Sequence, residues 1–177
     1  GGVVYADAVT TVSPTYAYEI TTPEGGEGLE GLMYACRDKL SGILNGLDYT
    51  EYDPQKDVYL TNHYNEVNYK EGKALNKTRL QKNVSLPVDG DVFLIGMVSR
   101  MTDQKGFDLI AYVMDELCQD AIQLVILGTG DERYENMFRH FDWKYHGKVS
   151  AQIYYDEKMS HRIYASADAF LMPSLFE

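Results

Sequence analysis

The run Val92-Phe93-Leu94-Ile95-Gly96-Met97-Val98, then Ser99-Arg100-Met101-Thr102-Asp103-Gln104-Lys105-Gly106, then Phe107 to Leu117, decides the fold. The first segment is apolar and bounded by polar residues, which predicts a buried strand. The last has Phe107, Ile110, Val113, Met114 and Leu117 at helical spacing, which predicts one apolar helix face. Between them lies a loop with two cations, Arg100 and Lys105, five positions apart. A helix N-terminus offers unpaired backbone N–H groups and the positive end of a dipole, so it attracts anions. Arg100 adds a planar fork for phosphate oxygens and Lys105 a compact charge.

The same alternation continues toward higher numbers. Ile122 to Leu127 reads as a second buried strand, ending in Gly128-Thr129-Gly130-Asp131. A helix follows with Tyr134, Met137, Phe138 and Phe141 on one face. Lys148 to Tyr154 alternates as a third strand. Asp156 is placed to cap a helix whose Met159, Ile163 and Ala167 share a side, and Ala169 to Met172 reads as a fourth strand stopped by Pro173. Strand–helix alternation implies an α/β fold with a doubly wound parallel sheet. Ligands of such sheets bind beyond the carboxyl ends of the strands. Arg100 with Lys105, Gly128 to Gly130, Tyr155 and Glu177 all fall there, which predicts one crevice.

Toward lower numbers the pattern is less regular. Val9 to Val12 reads as a short strand, and Ser13-Pro14 as the cap and first turn of a helix reaching Ile20. Thr21 to Gly28 is a glycine-rich loop, Leu29 to Leu40 is ambiguous, and Ile43 to Gly46 reads as a strand ending in a turn. Asp48 to Tyr69 is polar and aperiodic and is expected to be a linker or surface wrap. Lys73 to Lys82 has the composition of a helix, ended by Leu86-Pro87. A domain boundary is expected near residue 50.

The formal net charge of −11 disfavours nucleic acid and anionic membranes as partners, since both select basic surfaces. It leaves local phosphate binding open. Cys36 and Cys118 lack metal-ligand spacing and read as free, partly buried thiols. Asn83-Val84-Ser85 is a chance-level sequon. The chain opens mid-element without a methionine and stops just after an apolar strand, so a fragment is expected.

Each candidate also has a plain structural reading. Arg100 and Lys105 can be solvated cations pairing Asp103 or Asp108. A cation about 4 Å from a phosphate in a partly closed cleft gains roughly 4 kcal/mol before desolvation. Gly128-Thr129-Gly130 admits close approach of a ligand, or simply makes a turn. Tyr155 can stack on a base, with Tyr154 as the competing ring. Glu177 can accept hydrogen bonds from sugar hydroxyls. His161 is expected on the surface. Residue spacing shows no metal-ligand set, no nucleophile–His–carboxylate pattern and no P-loop.

Several stretches together resemble one family. They are Ala6-Asp7 with Thr11 to Ala17, Gly26 to Leu32, Lys39 to Gly46, Val98 to Gly106, Leu127 to Asp131, His161 to Ala165, and Met172 to Glu177. They resemble the bacterial glycogen synthases and plant starch synthases. These are retaining glucosyltransferases with two Rossmann-like domains facing across a cleft, the GT-B arrangement. The resemblance implies that residues 1–50 are the tail of the acceptor-side domain and its crossover. Residues 51–177 would be the first, incomplete part of the nucleotide-sugar domain.

By the same resemblance, Arg100 and Lys105 grip the distal phosphate of ADP-glucose and Glu177 binds the donor glucose. Gly128, Thr129 and Gly130 line the nucleotide, and Tyr155 lies against adenine. The implied donor is ADP-glucose and the acceptor glycogen or another α-1,4-glucan, with no metal and no cofactor. Tyr154 departs from the family, which often has glycine there. The implied location is the bacterial cytoplasm, or a plastid for a plant source. The fragment alone is expected to be inactive. A related GT-B enzyme with another donor or acceptor, or a non-catalytic nucleotide-binding module, are the alternatives. A Rossmann oxidoreductase fits less well, because no acidic ribose contact follows the Gly-x-Gly.

Overall fold

Four parallel strands make the larger sheet: β3 (Phe93–Val98), β4 (Ile122–Leu127), β5 (Val149–Gln152) and β6 (Ala169–Phe170). They lie in the order β5-β4-β3-β6. The helices between them are α5 (Phe107–Leu117), α6 (Glu132–Lys144) and α7 (Glu157–Ser166), and α4 (Tyr69–Asn83) precedes β3. This computed structural model describes residues 1–175. The chain divides into two units, Gly1–Tyr49 and another beginning at Thr50.

The sheet is apolar on both faces because both are covered. β4 is buried at every position. Its Ile122, Leu124 and Ile126 join Met97, Phe107, Ile110, Met114, Tyr134, Phe138 and Val149 in one cluster. Its Val125 and Leu127 join Leu80, Val84, Leu86, Leu94 and Ile163 in another. Alternate residues of one strand therefore serve opposite layers, α5 and α6 on one side, α4 and α7 on the other. Each large side chain buried in this way contributes roughly 1.5–3 kcal/mol. Gly96 permits the second layer to close: a Cβ there would stand 2.5 Å from Ile163 Cγ2 and 3.0 Å from Ala167 Cβ.

The first unit contains a two-stranded parallel sheet, β1 (Val9–Val12) with β2 (Leu40–Ile43), and helices α1 (Gly2–Tyr5), α2 (Pro14–Glu19) and α3 (Glu30–Ala35). Ser13 caps α2, its hydroxyl accepting from the Tyr16 N–H at 3.0 Å, as Ser13-Pro14 predicts. Lys39 Nζ donates to the Val4 and Ala6 carbonyls at 2.9 and 2.6 Å.

Several boundaries differ from the sequence reading. The strand expected at Ile43 to Gly46 ends at Ile43; it starts at Leu40, where Val9 provides a partner. Gly42 must be glycine because its Cβ would lie 1.9 Å from the Ser13 carbonyl oxygen. β5 stops at Gln152, not Tyr154, because β4 offers no partner beyond Leu127. β6 pairs only through Ala169 and Phe170. Val113, at helical spacing with the α5 core residues, is 42% exposed. α4 begins at Tyr69, ahead of Lys73.

The largest departures concern polar groups. Asp48 to Asn68 is irregular, yet it is not a mere wrap, because Asp57 and Leu60 are buried. His161 is buried as well, only 2% exposed, not on the surface. Its Nδ1 lies 2.7 Å from Asp57 Oδ2, and Asp57 Oδ1 accepts from the Tyr59 N–H at 2.8 Å. Buried Lys77 on α4 donates to Asp168 Oδ2 at 2.7 Å and to the Gly90 and Val92 carbonyls. Asp168 Oδ2 also accepts from the Leu94 N–H at 2.8 Å, so one carboxylate joins α4, β3 and the start of β6. Removing one partner of such a pair leaves the other charge uncompensated. Because the Asp168 side chain is 34% exposed and water compensates it in part, Lys77→Ala should lower unfolding free energy by about 1–2 kcal/mol, measured by urea denaturation. A loss no larger than that of a surface lysine would show the lock to be dispensable.

Candidate functional site

The segments after β3 and β4 stay zipped together past the ends of both strands. Ser99 N–H donates to Leu127 O at 3.1 Å, Met101 N–H to Thr129 O at 3.0 Å, and Asp131 N–H to Met101 O at 2.7 Å. This approach explains both glycines. A Cβ on Gly128 would stand 1.9 Å from the Ser99 carbonyl oxygen, and one on Gly130 would stand 2.3 Å from that of Met101. The backbone met so closely at these glycines is that of the neighbouring loop.

Glu135 on α6 fastens the outer edge of this loop pair. Its Oε1 accepts from Thr129 Oγ1 at 2.6 Å and from the Gly130 N–H at 3.1 Å, while Arg139 holds Oε2 at 3.0 Å. The Thr129 hydroxyl, then the Gly130 amide, hold its carboxyl below the usual carboxylate range.

Met101 is fully buried, which anchors the cationic loop from below. Arg100 projects beside it and is exposed, while Lys105 is partly buried in a single 3-10 turn, Asp103–Lys105. Asp103, the carboxylate expected to pair these cations, is engaged elsewhere. It pairs with Arg133 and accepts from the Tyr134 hydroxyl at 2.7 Å. Gly106 follows in the left-handed conformation (φ 67°), and its Cβ would lie 2.0 Å from Pro173 O. The Leu175 N–H donates to Gln104 O at 2.9 Å. The segment after β6 is thereby tied to the turn that carries Lys105. α5 then starts at Phe107 with no side chain capping its N-terminus.

Strand order places this loop at a particular point. From β3 the chain moves to β4 and then β5 on one side, and returns to β6 on the other side of β3. The switch in strand order between β3 and β6 falls beside this loop, at the carboxyl ends where ligands of such sheets bind. The hollow lined by Pro87, Ala121, Gln123 and Lys148 lies at the opposite ends of the strands. Beyond β5, Tyr155 is 77% exposed. Tyr154 is tethered, its hydroxyl donating to Gln152 Oε1 at 2.9 Å. Both rings are exposed, Tyr155 more than Tyr154, which is 41% exposed. Glu177 lies outside the described residues.

The structure thus places Arg100, Lys105, Gly128, Thr129, Gly130 and Tyr155 beyond the ends of three adjacent strands. Sequence spacing shows no metal-ligand set, but folding brings Glu51, Glu157 and His161 together, with one ligand atom from each within 4.8 Å of the others. No local motif announces them, since they come from a loop and from two turns of a helix distant in sequence. Gly128→Ala should cost about 2 kcal/mol or more through overpacking against Ser99, read as a fall in the thermal unfolding midpoint. An unchanged midpoint would show that the two loops can separate freely.

Comparison with known proteins gives these positions a context. A family model described as the starch synthase catalytic domain matches residues 1–35, and one described as glycosyl transferases group 1 matches residues 92–177. Over 177 residues the chain is 63% identical to a glycogen synthase of Lachnospira eligens and 54% identical to one of Lachnoclostridium phytofermentans. It spans 37% of the length of each. The catalytic domain of starch synthase IV from Arabidopsis thaliana, solved with ADP and acarbose, is 36% identical with a TM-score of 0.93. That match covers 100% of this chain and 36% of the other. A glycosyltransferase from Rickettsia africae is 15% identical with a TM-score of 0.56, covers 94% of this chain and 44% of its own, and shares the fold alone. Among the described residues, no helix is long and apolar enough to cross a membrane. In sequence along its whole length, and in fold, the chain matches the glycogen and starch synthase family of GT-B glycosyltransferases.

Proposed function

We propose that this segment forms the nucleotide-sugar side of a glucosyltransferase. The complete protein would transfer glucose from ADP-glucose to the non-reducing end of glycogen or another α-1,4-glucan, with retention of anomeric configuration. The observation that carries this reading is the cationic loop at the strand-order switch. Arg100 is exposed there, Lys105 sits in a turn fastened on both sides, and the uncapped N-terminus of α5 follows. Asp103 is held by Arg133 and by the Tyr134 hydroxyl, which also lies 3.4 Å from Asp108 Oδ2.

Each residue then has a role. Arg100 and Lys105 hold the diphosphate, and they stabilise the negative charge that grows on it as the glucosyl bond breaks. Groups already fixed in place need no reorganisation in the transition state, and that is where their advantage lies. In this reading the charge is met by protein cations, with no metal or organic cofactor assigned to the transfer step. Gly128, Thr129 and Gly130 lie along the nucleotide, and exposed Tyr155 stacks on the base. Glu177 receives the donor glucose through hydrogen bonds to its hydroxyls. The ADP that accompanies the starch synthase IV structure, a relative 36% identical, supports the choice of nucleotide.

Residues 1–50 would belong to the end of the acceptor-side domain and its crossover, and residues 51–177 to the beginning of the donor-side domain. The chain spans 37% of its curated relatives, so the whole reaction belongs to the longer protein. Purified as these 177 residues alone, it should bind nucleotide weakly and show no transfer from ADP-glucose to glycogen. In the full-length protein, Arg100→Ala or Lys105→Ala should each lower turnover about 100-fold, or ~2.7 kcal/mol in the barrier. Radiolabelled glucose incorporation into glycogen measures both. Activity within a few-fold of the unaltered protein, or preference for a different sugar nucleotide, would overturn the assignment.

A further inference from the structure

We propose that Glu51, Glu157 and His161 form a site for one divalent first-row metal ion, with Zn2+ as the reference ion, oriented by Asp57. The site is separate from the transfer chemistry above and requires none of its residues.

His161 supplies the central observation. Its side chain is 1% exposed, and its Nε2 is buried with no hydrogen-bond partner. A buried nitrogen left without a partner is disfavoured, so its persistence calls for an occupant. The other ring nitrogen is fixed by Asp57 Oδ2 at 2.7 Å. With Nδ1 donating its hydrogen there, Nε2 carries the lone pair that a metal needs. Asp57 is itself only 8% exposed and is held by the Tyr59 N–H. A carboxylate behind a histidine, fixing its tautomer and raising its basicity, is the usual second layer of a histidine metal site.

The ring cannot turn away. Tyr52 stacks on it at 4.8 Å with 11° between planes, and Tyr59 meets it edge-on at 5.0 Å. Nε2 faces Glu51 Oε1 at 3.9 Å, and ligand atoms of Glu51, Glu157 and His161 all lie within 4.8 Å of one another. In a tetrahedral zinc site, ligand atoms stand about 3.4 Å apart, given metal–ligand lengths near 2.0–2.1 Å. Both glutamates are exposed, so small rotations of their free ends close the gap and leave an entry path for the ion. Two carboxylates and a neutral imidazole balance a doubly charged cation. One imidazole with two carboxylates suits zinc-like ions better than Mg2+ or Ca2+, which prefer all-oxygen sets. A bound ion would tie the start of the second unit to the first two turns of α7.

The test uses the full-length protein, stripped with a chelator and titrated with ZnCl2 by calorimetry, with thermal unfolding followed in parallel. One Zn2+ should bind per chain, and the unfolding midpoint should rise until the site saturates. Glu51→Gln and Glu157→Gln should each weaken binding at least about tenfold, the smallest loss expected even for an outer-layer partner. Neither should move the metal-free midpoint, because both side chains are exposed. Asp57→Asn should weaken Zn2+ binding about 10–100-fold through the imidazole. Zn2+ binding that survives in the Glu51→Gln/Glu157→Gln double variant would overturn the proposal, as would no saturable binding by the unaltered protein. So would a Glu51→Gln effect confined to acid stability, which would make Glu51 only the counter-ion of a protonated His161. Incorporation of glucose into glycogen is read separately, so loss of Zn2+ binding with transfer intact leaves the glucosyltransferase reading standing.

Discussion

Backbone pressed directly against backbone, between Ser99–Met101 and Gly128–Gly130, is the constraint on which the carboxyl-end rim depends. Two parallel strands normally part where their ladder ends. Here the hydrogen bonding continues through Met101 and Thr129, and two glycines allow it because a Cβ at either would collide with a carbonyl oxygen. The adjacent loops therefore move as one piece with β3 and β4. A cation carried by such a loop is held more precisely than one on a free loop, because its backbone has few alternatives.

The same rim is fastened from its other side. Gly106 takes a left-handed conformation and leaves no room for a side chain against Pro173 O, and the Leu175 amide bonds to Gln104 O. Lys105 sits between these contacts. Its position is consequently linked to the segment that leads toward residue 177.

The repeating pattern of the second unit was legible in the sequence because its sheet is buried on both faces. β4 is apolar at every position but Gln123 and is followed by Gly128, and α5 and α6 carry Phe107, Ile110, Met114, Tyr134 and Phe138 at helical spacing. Such signals are local. Strand order is not local, and neither are the short pairings of β2 and β6, whose bounds depend on a partner far away in sequence. The loop positions of Arg100, Lys105, Gly128 and Tyr155 could be read from strand ends alone. That Gly128 meets Ser99, and that Tyr154 is tethered while Tyr155 is exposed, could not.

Polar residues gave the least warning. Lys77 stands among helix-forming residues with nothing local to mark it as buried, and His161 lies beside Arg162 in a helix of mixed character. Hydrophobic periodicity measures how apolar a face is, and a face that buries one charged or aromatic polar group scores as polar. What rescues such a group is a partner supplied by another element: Asp168 for Lys77, Asp57 for His161. Each pairing has only one arrangement that satisfies it, whereas apolar contacts tolerate sliding by a fraction of a residue. Lys77 with Asp168 thereby fixes α4 against the strand pair β3–β6, and Asp57 with His161 fixes the aperiodic segment against α7. An aperiodic polar stretch can be well ordered for this reason: its order comes from specific hydrogen bonds, which leave no periodic trace in the sequence.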